Sequence, residues 1–121
     1  MIKKGIQVFT ILAALIPVSA QSYSFIDGHI ALAKQCHETS EQLYTIKKNQ
    51  NKPICWEQLD KAGSWAQRAS EYIINEDYSH ARHYLKVSIQ NLQYIEDVLT
   101  CVQAPDILKA KDELILIKKR I

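Results

Sequence analysis

From about position 27 onward, apolar residues recur every third or fourth position and never in strict alternation. That period belongs to helices with one buried face, and no segment reads as a strand. A first helix is predicted over 27–50, with Leu32, Cys36, Leu43 and Ile46 on one face and Ala33 and Tyr44 widening it. Asp27 is a suitable N-cap, with Ile26 before it as a staple residue, and Asn49-Gln50-Asn51-Lys52 ends the pattern. Pro53 opens a second helix, because a proline in the first turn forfeits no intrahelical hydrogen bond. Its seam is Cys55, Leu59, Ala62, Ala66, Ala69 and Ile73. The alanines at its centre let a neighbouring helix approach closely. Trp56, Trp65 and Tyr72 lie beside this seam and are the candidate partner surface.

Asn75-Glu76-Asp77-Tyr78 reads as a turn, with Asp77 or Ser79 capping a third helix over 79–103. That helix shows two adjacent stripes. One is Ala81, Leu85, Ser88, Leu92, Ile95, Leu99 and Val102; the other is Tyr84, Val87, Tyr94, Val98 and Cys101. Two stripes predict that it touches neighbours on both sides and is the most buried helix. Pro105 and Asp106 start a fourth helix whose seam is Ile107, Ala110, Leu114, Ile117 and Ile121, with Leu108 and Ile115 beside it. Short connections force neighbouring helices antiparallel, so the expected fold is all-α, a small up-down bundle of about four helices.

Within this pattern, Trp65, Ala69, Tyr72, Asp77-Tyr78, Ala81, Leu85 and Ser88 fall where a tetratricopeptide hairpin places its aromatic, small and large residues. The stretch resembles one such hairpin. No second copy follows at that period, and the third helix continues past the point where the repeat would end. What the resemblance implies is local: two antiparallel helices packed through small residues.

Upstream of the helical pattern, Met1-Ile2-Lys3-Lys4 is a positive start, Ile6 to Val18 carries no charge, and Val18-Ser19-Ala20 supplies small residues for cleavage. This is the layout of a secretory signal peptide, too short to span a bilayer, which takes about 20 apolar residues. Residues 1–20 are expected to be removed and residues 21–121 to form a single domain with no stable membrane anchor, exported to the periplasm or the medium.

Cleavage alters the charge. The whole chain has 15 Lys and Arg against 13 Asp and Glu. Without Lys3 and Lys4 the two signs balance. A clustered basic face of the kind nucleic acid requires is missing, so no nucleic-acid partner is expected. Lys118-Lys119-Arg120 is read as complementing the end of the last helix.

An exported chain meets oxidising conditions, and Cys36, Cys55 and Cys101 leave one cysteine over. Helical geometry selects the pair. Cys55 and Cys101 are equally far from the turn near position 78, so they arrive at the same height. Cys36 is offset from Cys55 by roughly 17 Å along the axis and from Cys101 by roughly 20 Å. A disulfide tolerates a Cα separation of about 7 Å at most. The expected bond is therefore Cys55–Cys101. Cys36 remains either as a small buried residue or as an exposed thiol through which two chains would join as a homodimer. His37 beside it points elsewhere on the helix and is a poor activating base.

Candidate chemistry is sparse. His80 and His83 are three apart and share a face, and with Glu76 they form a candidate zinc or copper site. His29 and His37 are a weaker pair of the same kind. The mature chain lacks Met and any Cys-x-x-Cys-His, which disfavours haem. No serine–histidine–acid set, paired-carboxylate site or glycine-rich phosphate loop is recognisable. The sequence thus points to a non-enzymatic protein without cofactor that presents a helix face or groove to another protein, as an adaptor, inhibitor or chaperone-like factor. The alternative is an exported metal-binding protein using His80 and His83.

Overall fold

Proline, small residues and two left-handed turns set the boundaries of the helices. The computed structural model describes residues 28–121 and holds four of them: α1 (Gly28–Lys48), α2 (Pro53–Ile74), α3 (Tyr78–Val98) and α4 (Ala104–Lys119). The leader, its cleavage site, the Asp27 cap and Ile26 lie outside the described residues. Among the described residues there is no strand, and no helix is long and apolar enough to cross a membrane.

α2 begins at Pro53 after an extended Lys52. It ends in a Schellman turn: the Asp77 N–H donates to Tyr72 O and the Glu76 N–H to Ile73 O, both at 2.9 Å. Glu76 takes the left-handed position of this turn, with φ 58°. Glycine normally fills that position, because a Cβ makes it unfavourable. Asp77 then caps α3 by accepting from the His80 backbone N–H at 3.3 Å.

Contacts between the helices fix their directions. Tyr44 meets Ser64 and Lys47 meets Asp60 across α1 and α2. Asn91 donates to Gln58, and Ser88 to Ala62 O, across α2 and α3. Lys111 meets Gln93 and Glu96 across α3 and α4, and Thr39 donates to Glu113 across α1 and α4. Each helix runs antiparallel to the next, and α4 returns beside α1. The architecture is the expected four-helix bundle.

The core follows the seams. Every residue of the α2 seam, from Cys55 to Ile73, is fully buried, as are Leu43 of α1, Leu85 and Leu92 of α3 and Leu114 of α4. The small residues of α2 bring both neighbours close. Cys36 of α1 donates its thiol to Ala66 O at 3.2 Å, and Ser88 of α3 donates to Ala62 O at 2.7 Å. Bulkier side chains at positions 62 and 66 would cover these carbonyls. The hairpin that resembles a tetratricopeptide unit is thus two antiparallel helices joined through small residues.

Three expectations about α3 are corrected. α3 is not the most buried helix: eight residues of α2 are buried against five of α3. The second α3 stripe is half-buried at Tyr84 and Val87 and then turns outward, with Tyr94 42% and Val98 61% exposed. The helix also ends at Val98 instead of continuing to Gln103, and Val102 is exposed.

Candidate functional site

The end of α3 leads into a connector, Leu99–Gln103, that is tied down from several sides. Cys101 sits in this connector and is joined to Cys55 in the first turn of α2, with Cα atoms 5.8 Å apart. The pairing is the one expected, but Cys101 reaches it from a loop and not from a helix. Gln50 grips the same loop twice: its amide Nε2 donates to Val102 O at 2.8 Å, and its Oε1 accepts from the Val102 N–H at 3.0 Å. Asn49 donates to Gln103 Oε1 at 2.7 Å. Gln103 itself is held at φ 66°, in the left-handed region. A non-glycine residue there costs about 1–3 kcal/mol, so the surrounding bonds must impose it. In the sequence Asn49 and Gln50 mark only the end of a helix pattern.

This connector walls an apolar groove of about 430 Å³ between α3 and α4. Leu92 and Ile95 line it from α3, Ile107 and Leu108 from α4, and Leu99, Thr100 and Cys101 of the connector close its end with Pro105. The volume lies within the range of small binding clefts, roughly 300–1,000 Å³. Its polar side is Lys111, 8% exposed, whose Nζ donates to Gln93 Oε1 at 2.9 Å and to Glu96. Burying the ammonium requires such partners. Lys111 went unnoticed in the sequence, although it lies four after Ile107 and three before Leu114 on the buried face.

The three aromatic residues expected as a partner surface lie in two places. Trp56 lies toward α1, where Lys47 Nζ sits 4.7 Å from its ring centroid, 4.7 Å from that of Tyr44 and 2.9 Å from Asp60 Oδ1. Trp65 and Tyr72 lie toward α3, brought together through Tyr84, which stacks between them.

Nor does the structure gather the proposed metal ligands. His80 Nδ1 is 2.8 Å from Asp77 Oδ2, and its ring stacks on Tyr72. His83 stands edge-on to Tyr84. The Glu76 carboxylate lies 3.3 Å from His29 Nε2, so it serves α1 and not the His80–His83 pair. His37 pairs with Glu41, away from His29. Among the described residues no group of three or more His, Cys, Asp or Glu side chains is placed to hold a metal ion.

Cys36 is fully buried and free. Burial pushes its thiol up to about 12, because the thiolate would have to exist without water. Of the two alternatives for Cys36, the small buried residue is the one the fold holds, and a thiol so enclosed and protonated is a poor nucleophile.

No family model, no curated protein and no solved structure matches this chain.

Proposed function

We propose that the chain is a small exported, non-enzymatic binding module that takes an apolar segment of another protein into the groove between α3 and α4. The observation that carries this reading is the groove's pinned wall. A covalent bond and three side-chain hydrogen bonds hold the Leu99–Gln103 connector against an unfavourable backbone angle. Fixing a cleft in advance lowers the ordering cost of binding. Leu108, 42% exposed, stands on the rim as a docking residue. A disulfide-bonded helical domain is compatible with export, and the charge-free run after Lys4 supports it.

The test is photocrosslinking in the producing cell, with benzoylphenylalanine at Leu108 or, as a control, at exposed Glu38 of α1. A discrete adduct at position 108 alone is expected, on a chain beginning at Gln21. Equal adducts at both positions, or none, overturn the docking reading, and an adduct chain that still begins at Met1 overturns export with cleavage.

A further inference from the structure

The groove between α3 and α4 has polar features that an apolar cleft alone does not need. Of the side chains that line it, only Glu96 and Lys111 carry charge, and they are joined to each other. The ammonium of Lys111 is buried and has three N–H donors. Two go to Gln93 Oε1 and Glu96. The third has no partner among the described residues, so one donor remains beside the apolar lining. It suits an acceptor without charge. Glu96 already balances the ammonium and would repel a carboxylate or phosphate set against it.

The end of the groove carries a second set of unused groups. Leu99 is extended, with φ −104° and ψ 153°, and Leu99–Cys101 lies in neither helix nor turn. Beyond it, the Gln50 amide donates to Val102 O and accepts from the Val102 N–H. That is the exchange a neighbouring strand makes with a paired residue. Nothing serves the two residues before Val102 in this way. Among the described residues, the Thr100 and Cys101 N–H groups and the Cys101 carbonyl make no hydrogen bond. Both residues line the groove. A strip of main chain with unused donors and acceptor therefore stands beside an apolar floor.

We infer that the groove takes its partner segment in extended form, paired main chain to main chain with Thr100 and Cys101, and with one peptide carbonyl on Lys111. With the groove as the docking site, on which this rests, the occupant is an uncharged segment with apolar residues at alternate positions. An extended chain turns every second side chain to one face, here the face that meets Leu92, Ile95 and Ile107. The strip spans about 10 Å, so a few residues of the partner suffice. Adding a strand to unpaired main chain draws affinity from backbone bonds and specificity from the alternate side chains. A helical partner fits less well, because its own N–H and carbonyl groups are spent within the helix. An acyl chain would fill the floor, but it brings no donor for the Cys101 carbonyl, and its charged head would lie against Glu96.

The disulfide-bonded exported protein can be titrated with labelled peptides of one composition, Ser-Leu-Ser-Leu-Ser-Leu-Ser and Leu-Ser-Ser-Leu-Ser-Ser-Leu. Two further peptides keep the alternating order and carry N-methyl groups on the leucines or on the serines, and laurate is the acyl probe. Binding is read by anisotropy, by displacement for laurate, and by backbone amide shifts. The alternating peptide should bind at least about ten-fold tighter than the spaced one. Successive residues of an extended chain pair on opposite edges, so one methylated peptide should lose that margin and the other keep it. Amide shifts should centre on Thr100 and Cys101. Lys111→Met puts an apolar chain on a buried apolar face, so it should keep the melting temperature and weaken the alternating peptide several-fold. Equal binding of the alternating and spaced peptides overturns the inference. So do an equal response to the two methylations, full affinity in Lys111→Met, and laurate binding without peptide binding. A discrete Leu108 adduct together with any of these leaves the groove as docking site and removes the extended pairing, whereas absence of the adduct removes the docking site itself.

Discussion

Replacing Gly63 by alanine tests how closely α1 and α2 approach, and its sign is set by one neighbour. A Cβ built on Gly63 would lie 2.9 Å from Tyr44 Cε1 and 3.1 Å from Cδ1. In an open helix position the substitution would stabilise by about 1 kcal/mol, since glycine is that much poorer than alanine as a helix former. Here the ring has little room to retreat. Its hydroxyl is 3.1 Å from Ser64 Oγ and donates to Gln67 Oε1 at 3.3 Å, and the Lys47 ammonium rests above its face. Overpacking of this kind costs typically 1–3 kcal/mol. The strain exceeds the helix gain, so Gly63→Ala should destabilise the protein by about 1 kcal/mol. With Tyr44→Ala already in place the obstruction is gone, and the same substitution should stabilise by about 1 kcal/mol. Urea denaturation of the four proteins of this cycle measures both values. If Gly63→Ala stabilises to the same extent with and without Tyr44, the ring yields freely and the close approach is not what requires glycine.

Two further outcomes follow from the cysteines. Cys55→Ser with Cys101→Ser opens a closure of 46 residues, which the chain-entropy model values at about 4 kcal/mol; a loss below about 1 kcal/mol in denaturant unfolding would mean that Gln50 and Asn49 hold the connector without it. Because Cys36 is raised to about 12, the folded state keeps the thiol protonated while the unfolded chain ionises near its ordinary value. That part of the stability is therefore present below about pH 9 and is lost as pH rises toward 12, and Cys36→Ala should remove it. The check is the difference in stability between wild type and Cys36→Ala at neutral pH and at pH 10–11, where a constant difference refutes the argument.

The fold was legible because helix periodicity is a local property. Each seam on α2 and α4 appears in the chain as steps of three and four, and every seam residue is buried apart from the partly exposed Ile121 at the C-terminus; Gly63, Ser70 and Lys111 are buried in addition. What a seam does not reveal is how wide a face its neighbours cover. Tyr94 and Val98 continue an apolar stripe in the sequence, yet α2 starts at Pro53 and α4 packs on the other flank, so nothing among the described residues reaches over them. Cys55 and Cys101 meet because equal distance along the axis suffices, even though the helix ends before Cys101. The groove was not legible. Its wall depends on Gln50 gripping a loop more than fifty residues away in the chain, and long-range side-chain-to-backbone bonds leave no periodic trace. The candidate metal ligands failed for a related reason: spacing places His80 and His83 on one side of a helix, but the left-handed Glu76 turns its carboxylate toward α1.

The two flanks of α3 differ in what stiffens them. On the α4 side the wall is a loop, fixed by a disulfide and amide hydrogen bonds. On the α2 side it is a file of rings fixed by stacking. A side chain already locked before binding gives up little further freedom on contact, so a partner docking against either wall would lose little entropy in ordering it. Their chemistries differ as well: one flank is apolar with its single buried cation, Lys111, neutralised by Gln93 and Glu96, and the other is a half-buried file of rings with Arg68 beside it. A uniformly apolar segment would occupy only the groove. A substitution at Leu108 that weakens a partner while one at Arg68 leaves it unchanged therefore places that partner in the groove alone, whereas losses from both place one segment across α3.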